Sequence, residues 1–135
     1  GEDAYFLSDD MKSIGIADGV GGWGDIGVDP ALYSKSLMEG AKLAVESIPN
    51  NQRDPVEVMS EAYQYSSYVQ GSSTACILVL DGIHLQAANL GDSGFMVIRG
   101  LEVVFRTKEQ QHSFNFPYQI GTGSADKPQH SQRLT

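Results

Sequence analysis

The chain has 135 residues, 41% of them hydrophobic and 9% aromatic, enough for one ordinary core and too few to argue for two domains. Its 17 acidic and 9 basic residues give a net charge of −8, so a polyanion such as nucleic acid would meet repulsion unless a metal or a local patch intervened. No apolar run of about 18 residues is present, so no membrane-spanning helix is expected.

The chain opens on Gly1-Glu2-Asp3, with no basic leader or apolar targeting core, and localisation is not legible at this end. Tyr5 to Leu7 and Ile14 to Ala17 read as two short strands joined through the turn-prone Ser8-Asp9-Asp10. After a glycine-rich loop, Asp29-Pro30 is a good helix start, and Leu32, Ser36, Met38, Ala41 and Val45 continue at mostly helical spacing until about Pro49. A second start follows at Asp54-Pro55-Val56-Glu57, where Glu57 could reach back as in a capping box; this helix should run to about Gln70 and stop at Gly71.

From Thr74 the pattern changes to strands. Thr74 to Leu80 is an apolar run, Asp81-Gly82 signals a hairpin, and Leu85 and Ala87 alternate with His84 and Gln86. Residues 94–98 and 101–105 add two more strands around Arg99-Gly100. This β-β-α-α-β-β-β-β grouping favours an α+β fold with antiparallel sheet. Residues 107–135 are mostly polar and without period, and read as a large loop or a truncated continuation of a core confined to residues 1–106. The lone Cys76, among Thr74, Ala75, Ile77 and Leu78, excludes an internal disulfide and reads as a plain buried residue.

Acidic residues fall where strands begin or end: Glu2-Asp3 before the first, Asp18 after the second, and Asp92 after Asn89-Leu90. Carboxylates on a strand rim, without His or Cys partners, suit hard cations such as Mg²⁺ or Mn²⁺. Each taken singly is more often a turn or a solvated residue. Gly19, Gly21 and Gly24 also satisfy G-x-G-x-x-G, but the dinucleotide reading is disfavoured. The helix is delayed to about Pro30, and Asp18 would press against a pyrophosphate.

Glu2-Asp3, then Gly15-Ile16-Ala17-Asp18-Gly19-Val20-Gly21-Gly22-Trp23, then Gly71-Ser72-Ser73-Thr74-Ala75, then Asn89-Leu90-Gly91-Asp92-Ser93-Gly94 resembles the ordered motif set of the type 2C (PPM) protein phosphatases. Gln110 to Gln119, with Gly94-Phe95, is similar to the organelle branch of that family, which implies a mitochondrial or chloroplast protein. The resemblance implies an antiparallel β-sandwich flanked by helices, incomplete here and representing the N-terminal portion. It implies hydrolysis of phosphoserine and phosphothreonine in a phosphoprotein substrate by a metal-activated water, with Mn²⁺ or Mg²⁺ as cofactor. Asp18 would bridge two ions, the Gly19 carbonyl would bind one, Glu2 and Asp3 would hold water on them, and Asp92 would serve a weaker third. Asp18, Glu2 and Asp3 are thus the expected catalytic residues.

The family's phosphate-gripping base and its later Asp-Gly and Asp-Asn motifs have no counterpart in this sequence. Asp126 and His112 read as loop residues, Trp23 as packing the glycine loop on the first helix, and His84 and His130 as lacking zinc spacing. The alternative to an enzyme is a non-catalytic protein-interaction module or pseudophosphatase fragment, with dinucleotide binding a distant third.

Overall fold

The computed structural model describes residues 2–134; Gly1 and Thr135, the ends of the single expected domain, lie outside the described residues. Strands β1 (Asp3–Leu7) and β2 (Ser13–Asp18) form the opening hairpin, with Asp3 opposite Asp18 and Leu7 opposite Ile14. Ser8 holds the turn: its hydroxyl donates to Asp10 at 2.6 Å, and its oxygen accepts the amides of Lys12 and Ser13. The glycine-rich loop is not a plain loop, because Gly21–Ile26 winds into a 3-10 helix.

Helix α1 (Pro30–Glu46) begins as expected, with the Asp29 carboxylate accepting from the Ala31 amide at 3.0 Å and proline at the first position. Its buried stripe runs through Ser34, Leu37, Met38, Ala41 and Val45. Leu32 lies about 200° around the helix from Ser34 and is 55% exposed, outside that stripe. Helix α2 (Pro55–Tyr65) is capped by Asp54, which accepts from Val56 at 3.0 Å. The same Asp54 carboxylate pairs with Arg133 at 2.7 Å, and no return bond from Glu57 forms among the described residues. The helix stops five residues short of Gln70, where the Ser66 hydroxyl meets that of Ser36 on α1 at 2.9 Å.

Short strand β3 (Ser72–Ser73) leads into β4 (Ala75–Asp81) and β5 (His84–Leu90), turned at Gly82 with φ +60°. Strands β6 (Met96–Arg99) and β7 (Glu102–Arg106) form a separate hairpin. Residues 107–134, expected as loop, carry β8 (Gln111–Ser113), β9 (Phe116–Pro117), β10 (Ile120–Gly121) and β11 (Gln132–Leu134). These pieces are too short to show a period: β8 and β9 pair locally, while β10 and β11 are held by the distant strands β3 and β5.

The main sheet is antiparallel with order β1-β2-β4-β5-β11. Both helices cover one face, where Phe6, Ala17, Ala75, Ile77, Ala88 and Leu90 meet Leu37, Met38, Val58 and Met59 at 4% exposure or less. Gly15 brings α1 close, since a Cβ there would strike the Phe6 ring and approach Met38 Sδ to 3.2 Å. On the opposite face the β6–β7 hairpin begins a second layer: Phe95, Val97 and Phe105 share a cavity of about 410 Å³ with Leu85 and Leu134. Cys76 is fully buried, as expected, and burial pushes its thiol up to about 12. Among the described residues no helix is long and apolar enough to cross a membrane.

Candidate active site

The register of the opening hairpin sets Asp3 directly opposite Asp18, on the sheet face away from the helices. Like charges facing each other across a ladder are unfavourable, so the pair persists for a reason other than strand stability. The Asp18 carboxyl is pushed up to about 6. Partial burial at the strand end is the largest cause, although the residue keeps one side open to solvent. Next come a hydrogen bond shared with the Asp3 carboxyl and the charges of Asp3, Glu2 and Asp92. Carboxylates from two other chain segments, Glu2-Asp3 and Asp92, therefore act on Asp18 at one end of the sheet.

Backbone bonding explains how they meet. Glu2 O accepts from the Gly19 amide at 2.9 Å and from the Ser34 hydroxyl on α1 at 2.6 Å, which seats the chain start against the loop after β2. Gly19 can carry no side chain, because a Cβ would run into the carbonyl of Pro30. At Gly21 a Cβ would lie 2.7 Å from Glu2 Oε2, so this glycine leaves the glutamate its space. Gly19 also bridges to Ser73, and the Val20 amide donates to Ser72 O at 3.0 Å.

Thr74 is the joint to the Asp92 segment. Its amide donates to Asp18 O at 3.1 Å, its hydroxyl oxygen accepts the Asp18 amide at 3.2 Å, and the same hydroxyl lies 2.7 Å from Ser93 Oγ. Gly91, at φ +105°, passes so close to Thr74 and to Tyr118 O that a Cβ would lie 2.6 Å from each. Sequence reasoning assigned no role to Ser34, Thr74 or Ser93. For Thr74 and Ser93 the only signal was their place within Gly71-Ser72-Ser73-Thr74 and Asp92-Ser93-Gly94; Ser34 gave none.

Asp3, Asp18 and Ser93 line a cleft of about 410 Å³ floored by Ala4, Tyr5, Ile16 and Ala17. No lysine or arginine lines it among the described residues. Nor do three His, Cys, Asp or Glu side chains come together there as a ready-made metal cage. Asp3, Glu2 and Asp92 lie near enough to Asp18 for their charges to act on it. The donor chemistry is all oxygen, which fits a hard divalent cation better than zinc or copper.

Three residues read as bland sequence features have defined partners. Trp23 Nε1 donates to Ser72 Oγ at 2.7 Å, so the indole anchors the loop to β3 as well as lying near α1. Asp126 is only 7% exposed and accepts from the Gln119 amide at 3.1 Å. His112 is in β8, stacked on Tyr118 at 4.1 Å, with Nε2 3.0 Å from Asp126. The loop reading of His112 is corrected, since it lies in β8; Asp126 is in a loop as read, but buried. The two are 14 residues apart in sequence, and only the folding of residues 107–134 pairs them.

No protein-family model matches the chain. A protein of Arabidopsis thaliana named as protein phosphatase 2C 55 is 46% identical over all of this chain and 29% of its own length. The Homo sapiens protein phosphatase PTC7 homolog is 46% identical over 89% of this chain and 42% of its own. The X-ray structure of the photosystem II phosphatase PBCP superposes with a TM-score of 0.88 at 33% identity, covering 99% of this chain and 53% of that one. The chain thus spans about a third to a half of the proteins it matches. By sequence and by fold, it is a homologue of the type 2C protein phosphatases.

Proposed function

We propose that this chain supplies one side of the active site of a metal-dependent protein serine/threonine phosphatase. The observation that carries this reading is the convergence of Asp18, Asp3, Glu2 and Asp92 on one rim, tied by Thr74 and Ser93. Asp18, Glu2, Asp3, Asp92 and the Gly19 carbonyl would hold Mn²⁺ or Mg²⁺. When bound, such ions supply Lewis-acid activation of water and neutralise phosphate charge.

The chain's own residues do the positioning. Thr74 fixes the end of β2 and so the direction of Asp18, while Gly19 and Gly21 leave Glu2 the room it occupies. The Asp3–Asp18 pair can hold one shared proton when no cation is present and must release it when one binds, which makes cation affinity rise with pH. Phosphate itself would be repelled by this rim without cations. Substrate would be a phosphorylated serine or threonine in a protein. The similarity to PTC7 homologs supports placing the intact protein in a mitochondrion or chloroplast.

The experiment is Mn²⁺-dependent release of phosphate from a phosphopeptide by the intact parent, expected to fall about a hundredfold or more in Asp18→Asn. Undiminished activity in that variant would sink the assignment. The absence of a ready-made cage among the described residues favours a second reading, a non-catalytic interaction module. Calorimetry with Mn²⁺ separates the two, since saturable binding abolished by Asp18→Asn speaks against a purely structural role.

A further inference from the structure

Away from the carboxylate rim, a cleft of about 560 Å³ opens between the end of α2 and residues 121–127, lined by Tyr33, Tyr63, Ser66, Thr122, Ser124 and Lys127 among others. Its lining contains no Asp or Glu, in a chain that carries 17 of them.

Tyr33 is 1% exposed, yet its hydroxyl has no hydrogen-bond partner. A buried hydroxyl left unpaired is costly, so such a group calls for an occupant. Burial and the neighbouring Tyr63 phenol raise its ionisation well above the ordinary tyrosine range, so it remains a donor. The Tyr63 hydroxyl accepts from Lys127 Nζ at 3.0 Å, which leaves its own proton free. Lys127 uses a second N–H on Ser124 O at 3.3 Å and has one left, with no carboxylate in ion-pair range among the described residues. Thr122 Oγ1 accepts from the Gly71 amide at 3.1 Å and can likewise donate outward.

From these uncommitted donors, the cation and the missing acids, we infer that the cleft binds a small oxyanion, a phosphate or carboxylate group carried by a small molecule. The unpaired Tyr33 hydroxyl points to a ligand rather than to a merely polar surface. Charge-assisted bonds to Lys127 and hydroxyl bonds from Tyr33, Tyr63 and Thr122 match the acceptor-only character of such a group. This site is independent of the catalytic reading, since none of its residues borders the rim of Asp18.

The test is titration of the protein with inorganic phosphate, and separately with acetate, in chelator so that the carboxylate rim repels anions. Amide NMR shifts should saturate at Thr122, Ser124 and Lys127, and the probe that saturates first identifies the preferred oxyanion. Tyr33→Phe should keep the fold and weaken the affinity about tenfold, the worth of one bond to a charged acceptor. Lys127→Met should abolish binding. Shifts confined to Asp3, Asp18 and Asp92, or an unchanged affinity in Tyr33→Phe with the native spectrum intact, would overturn the inference and leave the hydroxyl to water alone.

Discussion

The two faces of the main sheet are built from the same strands and the same apolar vocabulary, yet they are in opposite conditions. On the helix side, Phe6, Ala17, Ile77, Ala88 and Leu90 are sealed. On the other, Tyr5 is 76% exposed, Ile14 45%, Ile16 40% and Leu80 45%. Within β2, residue size separates the two faces. In β2 the small Gly15 and Ala17 face the helices, which lie close enough to demand them, while the large Ile14 and Ile16 face outward. A row of exposed large side chains is an unfilled layer, and the β6–β7 hairpin covers only the part over β5 and β11. The carboxylate rim sits at the end of that open face.

The comparison can be broken most directly in the cores. Leu37→Ala, at a fully buried position on α1, should cost about 2–5 kcal/mol in urea unfolding. Ile16→Ala should cost under about 1 kcal/mol in this chain, because its side chain is already partly in water. The same Ile16 change in the intact parent should cost more, and equal costs in both would show that no second layer closes over this face.

An effect smaller than that of Leu37→Ala is expected at Arg53, which lies against the helix side of β2 and is 7% exposed. Its guanidinium donates to Ile48 O at 3.0 Å, Ser13 Oγ at 3.1 Å and Asp10 at 3.2 Å. Arg53→Met should cost about 1–3 kcal/mol near neutral pH. The Ser8 hydroxyl first, and Arg53 second, hold the Asp10 carboxyl well below its usual range. A carboxylate lowered in the folded state adds stability above its unfolded value near 3.8, and that contribution is lost as pH falls further. The gap between wild type and Arg53→Met should therefore narrow in acid.

Asp18, on the open face, gives the opposite sign. Its folded value of about 6 lies above the unfolded 3.8. The metal-free fold therefore binds the extra proton more tightly, and its stability falls as pH rises from about 4 to about 6. Asp18→Asn removes this dependence, so melting curves in chelator should show the variant gaining on wild type across that window. After screening by solvent the gain is about 1 kcal/mol at most. A flat difference would mean that the four carboxylates do not interact.

Much of this architecture was legible beforehand because local chemistry specified it. Asp29-Pro30 and Asp54-Pro55 start their helices by capping geometry that needs no distant partner. Asp81-Gly82 and the flanking apolar alternation placed the β4–β5 hairpin within a residue or two. Where α2 ended was not legible: it stops at Tyr65, and the contact of Ser66 with Ser36 of α1 exists only in the folded chain.

Strands β1, β2 and β4 to β7 in their order, the antiparallel class, and the carboxylates Glu2, Asp3, Asp18 and Asp92 near strand ends were written in residue identity and spacing. Tertiary structure alone decided that Asp3 faces Asp18, that Thr74 bonds Asp18 across 56 positions and also reaches Ser93 beside Asp92, and that Asp126 sits buried against His112. It also decided that β11 closes the sheet and that Tyr33 ends in a cleft without a partner. Such pairings depend on segments far apart in the chain, each too short or too polar to carry a period of its own. Their geometry exists only once the helices have packed and the sheet has fixed its register.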